Sequence, residues 1–278
     1  MHESGKIDIM AEIVRSETIG GNLSDMTSWP RTDMHLHATH YRLEGARENM
    51  TVSNIVRHLE SEGYAAAGIV EHLDTHPKHP LHCLEALVIE FRSLSSPLDL
   101  FVGAELDYQQ DAITIPEAPA IKRRLGLDYL LGAAHGVGEG ITNTASFIED
   151  HHRRLMGIVE RCAYVDIVAH PWSEGHRFAR KGQIEEWRFE LIPERYLREF
   201  IDAAKYHAKA IEINHKALAD ADDPAFRHYL DMLCNSDVQV TVGSDAHSME
   251  RIDTVAPLND LLQSAGFHPE RLWQPDRS

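Results

Sequence analysis

In the stretch Thr32-Asp33-Met34-His35-Leu36-His37-Ala38-Thr39-His40, two histidines stand two residues apart near the start of an apolar run. On an extended strand alternate side chains share a face, so Asp33, His35 and His37 are expected to point one way and Met34 and Leu36 the other. Two neutral imidazoles on one polar face can close on a single metal ion. The chain holds 19 histidines, so one such pair carries little weight alone, and the later apolar runs must decide.

Nearly every later run ends in a metal-binding residue type. GIVEH ends in His72, VGAELD carries Glu105, LLGAAH ends in His135 and DIVAHP carries His170; EIN carries Glu212 and Asn214, and VGSDAH carries Asp245 and His247. Side chains converging from several strand ends are how parallel barrels build active sites. Glu71 alternates away from His72, so it is expected to face the helices or to support a ligand from outside. A carboxylate such as Glu105 can span two cations with its two oxygens, which an imidazole cannot. Two or more cations would neutralise a phosphate ester and acidify a water between them. No cysteine joins the set, which argues against a closed structural zinc site and admits zinc, manganese or iron.

A local positive cluster lies between Pro171 and Ile192 and contains Trp172, His176, Arg177, Arg180 and Lys181. Arg177 and Arg180 are candidates to hold a phosphate by paired hydrogen bonds, Trp172 to line the same site, and the whole connection to close as a lid. Lys216 and His215 follow the EIN run; Lys216 is a candidate for the rim, and His215 for protonating a leaving alcohol.

The elements that must position these residues are short apolar runs alternating with stretches of helical period, the pattern of β/α units and a parallel sheet. Strands are predicted at 32–37, 65–72, 99–106, 129–135, 165–170, 210–214 and 239–245, seven in all. Thr51 or Ser53 can cap a helix carrying Ile55, Val56 and Leu59, and Gly63 can end it. Residues 81–94, 144–162 and 194–208 show the same stripe, and Asp223-Pro224 is a cap followed by proline at the first helical position. The connection 171–192 has no clear period, and loops of that length are functional or disordered.

At 278 residues the chain has the size of one α/β barrel. Residues 1–30 are read as an extension and 31–278 as one barrel domain. A net charge of −17 repels duplex nucleic acid and anionic lipid. Cys83, Cys162 and Cys234 form no CxxC pair and are expected to be free thiols in a reducing cytoplasm. No leader and no run of 18 apolar residues is found, so a soluble, cytoplasmic protein is expected.

Taken in order, His35-x-His37, Glu71-His72, Gly103-x-Glu105, Gly132-x-x-His135, His170-Pro171, Glu212-x-Asn214 and Ser244-Asp245-x-His247 resemble the polymerase and histidinol phosphatase (PHP) family of metal-dependent phosphoesterases. The resemblance covers roughly residues 31–250. It implies a distorted seven-stranded (β/α)7 TIM-like barrel, two or three divalent metal ions, and hydrolysis of a phosphate ester. By the same resemblance His35, His37, Glu105 and Asp245 form a first metal site, and Glu105 bridges to a second with His135 and His170. His72 and His247 belong to a third. There the sequence departs from the family, for Leu43 stands where members often carry another histidine, and His40 or Glu44 is expected to substitute.

The leading reading is hydrolysis of small phosphate monoesters, histidinol phosphate among them, with Glu105, Asp245 and His215 in the reaction. The alternative is a nuclease or phosphodiesterase acting on nucleotides or short oligonucleotides. A hydrolase of carbon–nitrogen bonds is disfavoured by Glu105, by the Asp245-x-His247 ending and by the lack of a bridging lysine. A relic that merely binds ions would have lost more ligands than one. Oligomeric state is not legible.

Overall fold

The computed structural model describes residues 29–38 and 49–276. Residues 1–28 of the expected extension at 1–30, together with His40, Leu43 and Glu44, lie outside the described residues.

Seven parallel strands alternate with helices as a nearly closed, distorted (β/α)7 barrel. The strands are β1 (Thr32–His37), β2 (Ala66–Leu73), β3 (Asp99–Gln109), β5 (Tyr129–Ala133), β6 (Ile167–Val168), β7 (Ala210–Asn214) and β8 (Val240–Gly243), paired in that order. A short β4 (Ala112–Ile113), not expected from the sequence, folds back antiparallel on the end of β3. The last strand returns to the first through a single bridge, Leu36 to Ala246, where Asp245 N donates to His35 O at 2.8 Å and His37 N to Ala246 O at 3.0 Å.

The helices are α1 (Val52–Ser61), α2 (Leu81–Arg92), α3 (Ala118–Leu125), α4 (Thr144–Arg161), α5 (Gly175–Arg180), α6 (Glu194–Tyr206), α7 (Pro224–Cys234) and α8 (Ala256–Ser264). Thr51 caps α1 by accepting from Asn54 N at 3.1 Å, Asn143 caps α4 and Asp223 caps α7. Such a cap contributes about 1 kcal/mol. Burial of Val52, Ile55, Val56 and Leu59 on α1 contributes roughly 1.5–3 kcal/mol each, so packing dominates and the cap sets the boundary.

Inside the barrel a separate apolar cluster of Met34, Ala66, Val70, Phe101, Tyr129, Leu131, Ala133, Ile167, Ala169 and Ala210 fills the end away from the strand carboxyl termini. Tyr129 spans it and donates its hydroxyl to Met34 O at 2.7 Å. Gly68 is required opposite, because a Cβ there would collide with that hydroxyl.

Met34 corrects the expected alternation of β1. The register between β1 and β2 shifts between Asp33 and Leu36, so Met34 joins the inner cluster while Leu36 joins the outer layer under the helices. The bulge lets Met34 plug the barrel while His35 and His37 occupy its mouth.

The connection 171–192 is also folded rather than open. It forms α5 and a short 3-10 turn, and buries Phe178, Ile184, Trp187, Phe189 and Ile192. Phe178 and Trp187 pack on Phe147 of α4 with ring centroids 5.2 and 5.7 Å away. The three cysteines are free. No described helix is long and apolar enough to cross a membrane.

Candidate metal centre

Glu105 sits near the carboxyl end of β3, fully buried, with an imidazole set on each of its oxygens. Oε1 lies 2.9 Å from His170 Nε2 and 3.0 Å from His135 Nε2. Oε2 lies 3.0 Å from His72 Nδ1, 3.4 Å from His37 Nε2 and 3.6 Å from His35 Nε2. None of these nitrogens is placed to donate a proper hydrogen bond to Oε2. A buried carboxylate oxygen surrounded by ring nitrogens but lacking a hydrogen bond is what a shared cation would satisfy.

The rest of the centre closes from β1, β7 and the turn after β8. Asp245 Oδ1 is 3.3 Å from His37 Nε2, 3.8 Å from His35 Nε2 and 3.6 Å from His247 Nδ1. His35 and His37 face each other through their Nε2 atoms at 3.1 Å. His35 Nδ1 donates to Glu212 Oε1 at 2.8 Å. A carboxylate only accepts, so that bond fixes a proton on Nδ1, and in the neutral ring it leaves the Nε2 lone pair turned toward His37, Glu105 and Asp245. The residues therefore fit a metal ion. Groups of donor atoms close enough to share one form from His35, His37 and Glu105; from Glu105, His135 and His170; and from His37, His72 and His247.

Backbone geometry is bent to make this set. His170 and Asp245 have φ of 35° and 51°, unusual for residues other than glycine. Such strain is retained where surrounding contacts over-determine it. For His170 the contact is Glu212 Oε2, which accepts its backbone N–H at 2.5 Å. The turn also explains why β6 stops at Val168, two residues short of the expected end. Gly243 makes room for Glu212, since a Cβ there would strike its Oε1 and lie 2.8 Å from His35 Cβ.

The electrostatics follow from packing carboxylates and imidazoles together. Burial opposes a charge on His35, yet the Glu212 and Glu105 carboxylates hold its pKa well above the usual value. Burial likewise opposes charge on His37, and the Asp245, Glu105 and Glu71 carboxylates around it carry its pKa to about 10. Glu105 resists the upward push of burial because His135 and His35 hold it well below the carboxylate range. Asp245 does so through Lys216 first. Burial and the neighbouring His37 lower His72 to about 4 and His247 to about 2.

The remaining expectations divide. Arg177 and Lys216 line the cavity of ≈ 810 Å³ that opens over the centre, with Asp74, His79, Asp107 and Arg251. Lys216 Nζ reaches Asp245 Oδ2 at 2.8 Å and Glu174 Oε1 at 3.0 Å, while Arg177 Nε pairs with Glu174 Oε2 at 2.9 Å. Arg180 and His215 line a smaller adjoining cavity. Burial lowers the pKa of His215. Trp172 reaches neither cavity. It is 1% exposed and packs on His151, His152 and Phe200, so it anchors the turn after His170 instead of meeting a ligand. Glu71 is buried, and its Oε1 accepts from His72 N and lies 3.7 Å from His37 Nδ1, a supporting position.

Sequence reasoning missed Asp107, whose Oδ1 is 3.5 Å from His135 Nδ1. Its spacing from Glu105 on one strand was the available signal. Asp33 Oδ1 accepts from His35 N and Ser244 N, tying the two ends of the barrel together. Glu174, Asp74, His79 and Arg251 come from turns and helices with no period to mark them.

No protein-family profile matches the chain, and no curated protein sequence is significantly similar to it. Among solved structures, the chain is similar in fold to histidinol phosphate phosphatase from Lactococcus lactis subsp. lactis Il1403, a structure complexed with zinc, L-histidinol and phosphate. The TM-score is 0.60 at 18% identity, over 86% of this chain and 94% of that one. Lower-scoring matches are N-isopropylammelide isopropylaminohydrolase from Burkholderia multivorans ATCC 17616 (TM-score 0.42, 14% identity, 84% of this chain and 59% of that one) and beta-aspartyl dipeptidase from Fervidobacterium islandicum AW-1 (TM-score 0.35, 15% identity, 87% and 70%). The first of these likenesses is one of fold, and at scores below 0.5 the other two say nothing about chemistry.

Proposed function

We propose that the protein is a metal-dependent hydrolase of small phosphate monoesters, a PHP-type phosphoesterase resembling histidinol phosphatases. The observation that carries this reading is Glu105, a buried carboxylate whose two oxygens face separate imidazole sets. The fold likeness to a phosphatase that holds zinc and phosphate supports it. In this reading His35, His37, Glu105 and Asp245 hold one ion, Glu105, His135 and His170 a second, and His72 and His247 belong to a third. The ions, of zinc, manganese or iron, supply charge neutralisation at the phosphate and an acidified water. The chain's own groups do the positioning. Glu212 fixes the ring of His35 and the backbone of His170, and Arg177 and Lys216 offer donors to phosphate oxygens from the wall of the cavity that His72, His135 and His247 also line.

The test is a panel of small phosphate monoesters and single-stranded DNA and RNA, run with protein stripped of metal and then reloaded with zinc or manganese. Phosphate release from at least one monoester, only in the reloaded protein, is expected. Faster degradation of DNA or RNA than of every monoester would install the nuclease reading instead.

A further inference from the structure

Beside the cavity over the centre lies a second one, of ≈ 320 Å³, within the range of about 300–1,000 Å³ that small-ligand sites occupy. Arg177, Lys216 and Arg251 line both, so the two share a wall. Among the described residues the metal-facing imidazoles His72, His135 and His247 line only the larger one. Three segments far apart in sequence meet around the smaller. Helix α5 brings Arg177 and Arg180, the 3-10 turn after β7 (His215–Asp220) brings Lys216, and the 3-10 turn after β8 (Met249–Val255) brings Arg251.

The carboxylates at this wall are already engaged. Glu174, 1% exposed, meets Lys216 Nζ with one oxygen and Arg177 Nε with the other, at 3.0 and 2.9 Å, and Asp220 Oδ1 lies 2.9 Å from His176 Nε2. Arg177 also donates to His135 O at 2.9 Å. Those bonds hold Arg177 and Lys216 in place between the two cavities. Arg180 and Arg251 are exposed, and among the described residues neither is paired with a carboxylate. In a chain of net charge −17, an anion is drawn only where cations gather in a cleft. A guanidinium offers forked donors that match the oxygens of a carboxylate or a phosphate. The ester phosphate belongs over the imidazoles, in the larger cavity, so the smaller one is left for a different anionic group.

We propose that the smaller cavity is a second anion subsite, in which Arg180 and Arg251 hold a carboxylate or a second phosphate at the far end of the substrate. This rests on the phosphomonoesterase reading above and narrows it to esters that are anionic at both ends. Histidinol phosphate carries an ammonium group instead, a cation that the same guanidiniums repel.

The experiment compares butyl phosphate with aminobutyl phosphate, carboxypropyl phosphate and butanediol bisphosphate, esters of matched length that differ at the far end, as substrates of the zinc-reloaded full-length protein. The corresponding phosphonates, which are not hydrolysed, are titrated by calorimetry so that binding is read apart from turnover. At least one acidic-ended ester is expected to exceed butyl phosphate in kcat/KM by at least about 10-fold, the scale of one charge-assisted hydrogen bond, with aminobutyl phosphate below both. Whichever of the carboxylate and the bisphosphate leads names the group. Arg180→Gln and Arg251→Gln, with folding checked by circular dichroism, are expected to shrink that preference, in KM and in phosphonate affinity, more than they change butyl phosphate. Arg180→Lys, which keeps the charge and loses the fork, is expected to retain part of it. Equal affinity for acidic-ended and neutral phosphonates, a preference for the amino compounds, or a preference left intact in both glutamine variants would overturn the proposal; hydrolysis of butyl phosphate alongside any of these would leave the phosphatase reading standing. An arginine-dependent preference among the phosphonates in a protein that hydrolyses no ester would support the subsite and overturn the phosphatase reading.

Discussion

Glu105 and Glu212 are the two carboxylates on which the centre turns, and they do different work. Glu105 faces imidazoles with both oxygens, so Glu105→Gln keeps shape but loses the charge that two cations would share. Its hydrolytic rate is expected to fall by roughly 10²–10⁴-fold with the fold retained, because acid or metal groups acting in a reaction contribute on that scale. A variant at wild-type rate would remove Glu105 from the centre. Glu212 acts through His35, fixing its tautomer at 2.8 Å. Glu212→Gln can present an amide nitrogen there and lose that preference, so zinc affinity is expected to drop about 10–100-fold, read by competition with a chromogenic chelator. An unchanged affinity would reduce Glu212 to a support for the His170 backbone. At this scale much of the centre was legible, since His35, His37, His72, Glu105, His135, His170, Asp245 and His247 all gather at one mouth. Asp74, His79 and Glu174 were not, for nothing in a turn's sequence says which strand end it will fold over.

Elements were legible where burial imposes a period. Strands buried on both faces read as apolar runs, and α1, α4, α6 and α7 carry apolar stripes. Helix α3 was missed because it buries only Ala118, which leaves no stripe to find. The bulge in β1 was missed because it answers to Tyr129 and Gly68, far away in sequence. The 171–192 connection looked irregular because its anchors are isolated aromatic and aliphatic residues meeting α4, not a repeat. Helix α4 meets the same connection through His151, whose Nε2 accepts from Trp172 N at 3.1 Å. Burial lowers the pKa of His151 to about 3. The folded state thus prefers the neutral ring, while the unfolded chain takes a proton below about 6.5. This contribution to stability is complete above pH 6.5 and is lost progressively as pH falls toward 3. Between pH 7 and 5 the wild type is expected to lose about 2 kcal/mol more than His151→Gln, which accepts the same bond without titrating. Parallel denaturant midpoints for the two proteins across that range would contradict it.

The whole molecule sets a strongly negative field around a cavity whose walls carry Arg177, Lys216 and Arg251. A polymer needs a run of cations along its path, and each phosphate contact steepens the dependence on salt. One terminal phosphate needs only the local group, so the charge balance favours a small ester. The same balance bears on stability. Glu105, Glu212 and Asp245 are buried within one mouth alongside the imidazoles, and among the described residues the lysine or arginine paired with them is Lys216, on Asp245. An ion that binds the folded state alone stabilises it by about 4 kcal/mol when its concentration is 1,000 times its dissociation constant. For a chain of this size each kcal/mol moves the melting temperature by roughly 2–4 °C. Stripping the protein with a chelator is therefore expected to lower Tm by on the order of 10 °C, and adding zinc back should restore it. Scanning calorimetry of stripped and reloaded protein at one pH reads this directly. Superimposable melts would mean that the imidazoles and carboxylates satisfy one another without metal, and the centre would then be a hydrogen-bonded plug in the barrel mouth.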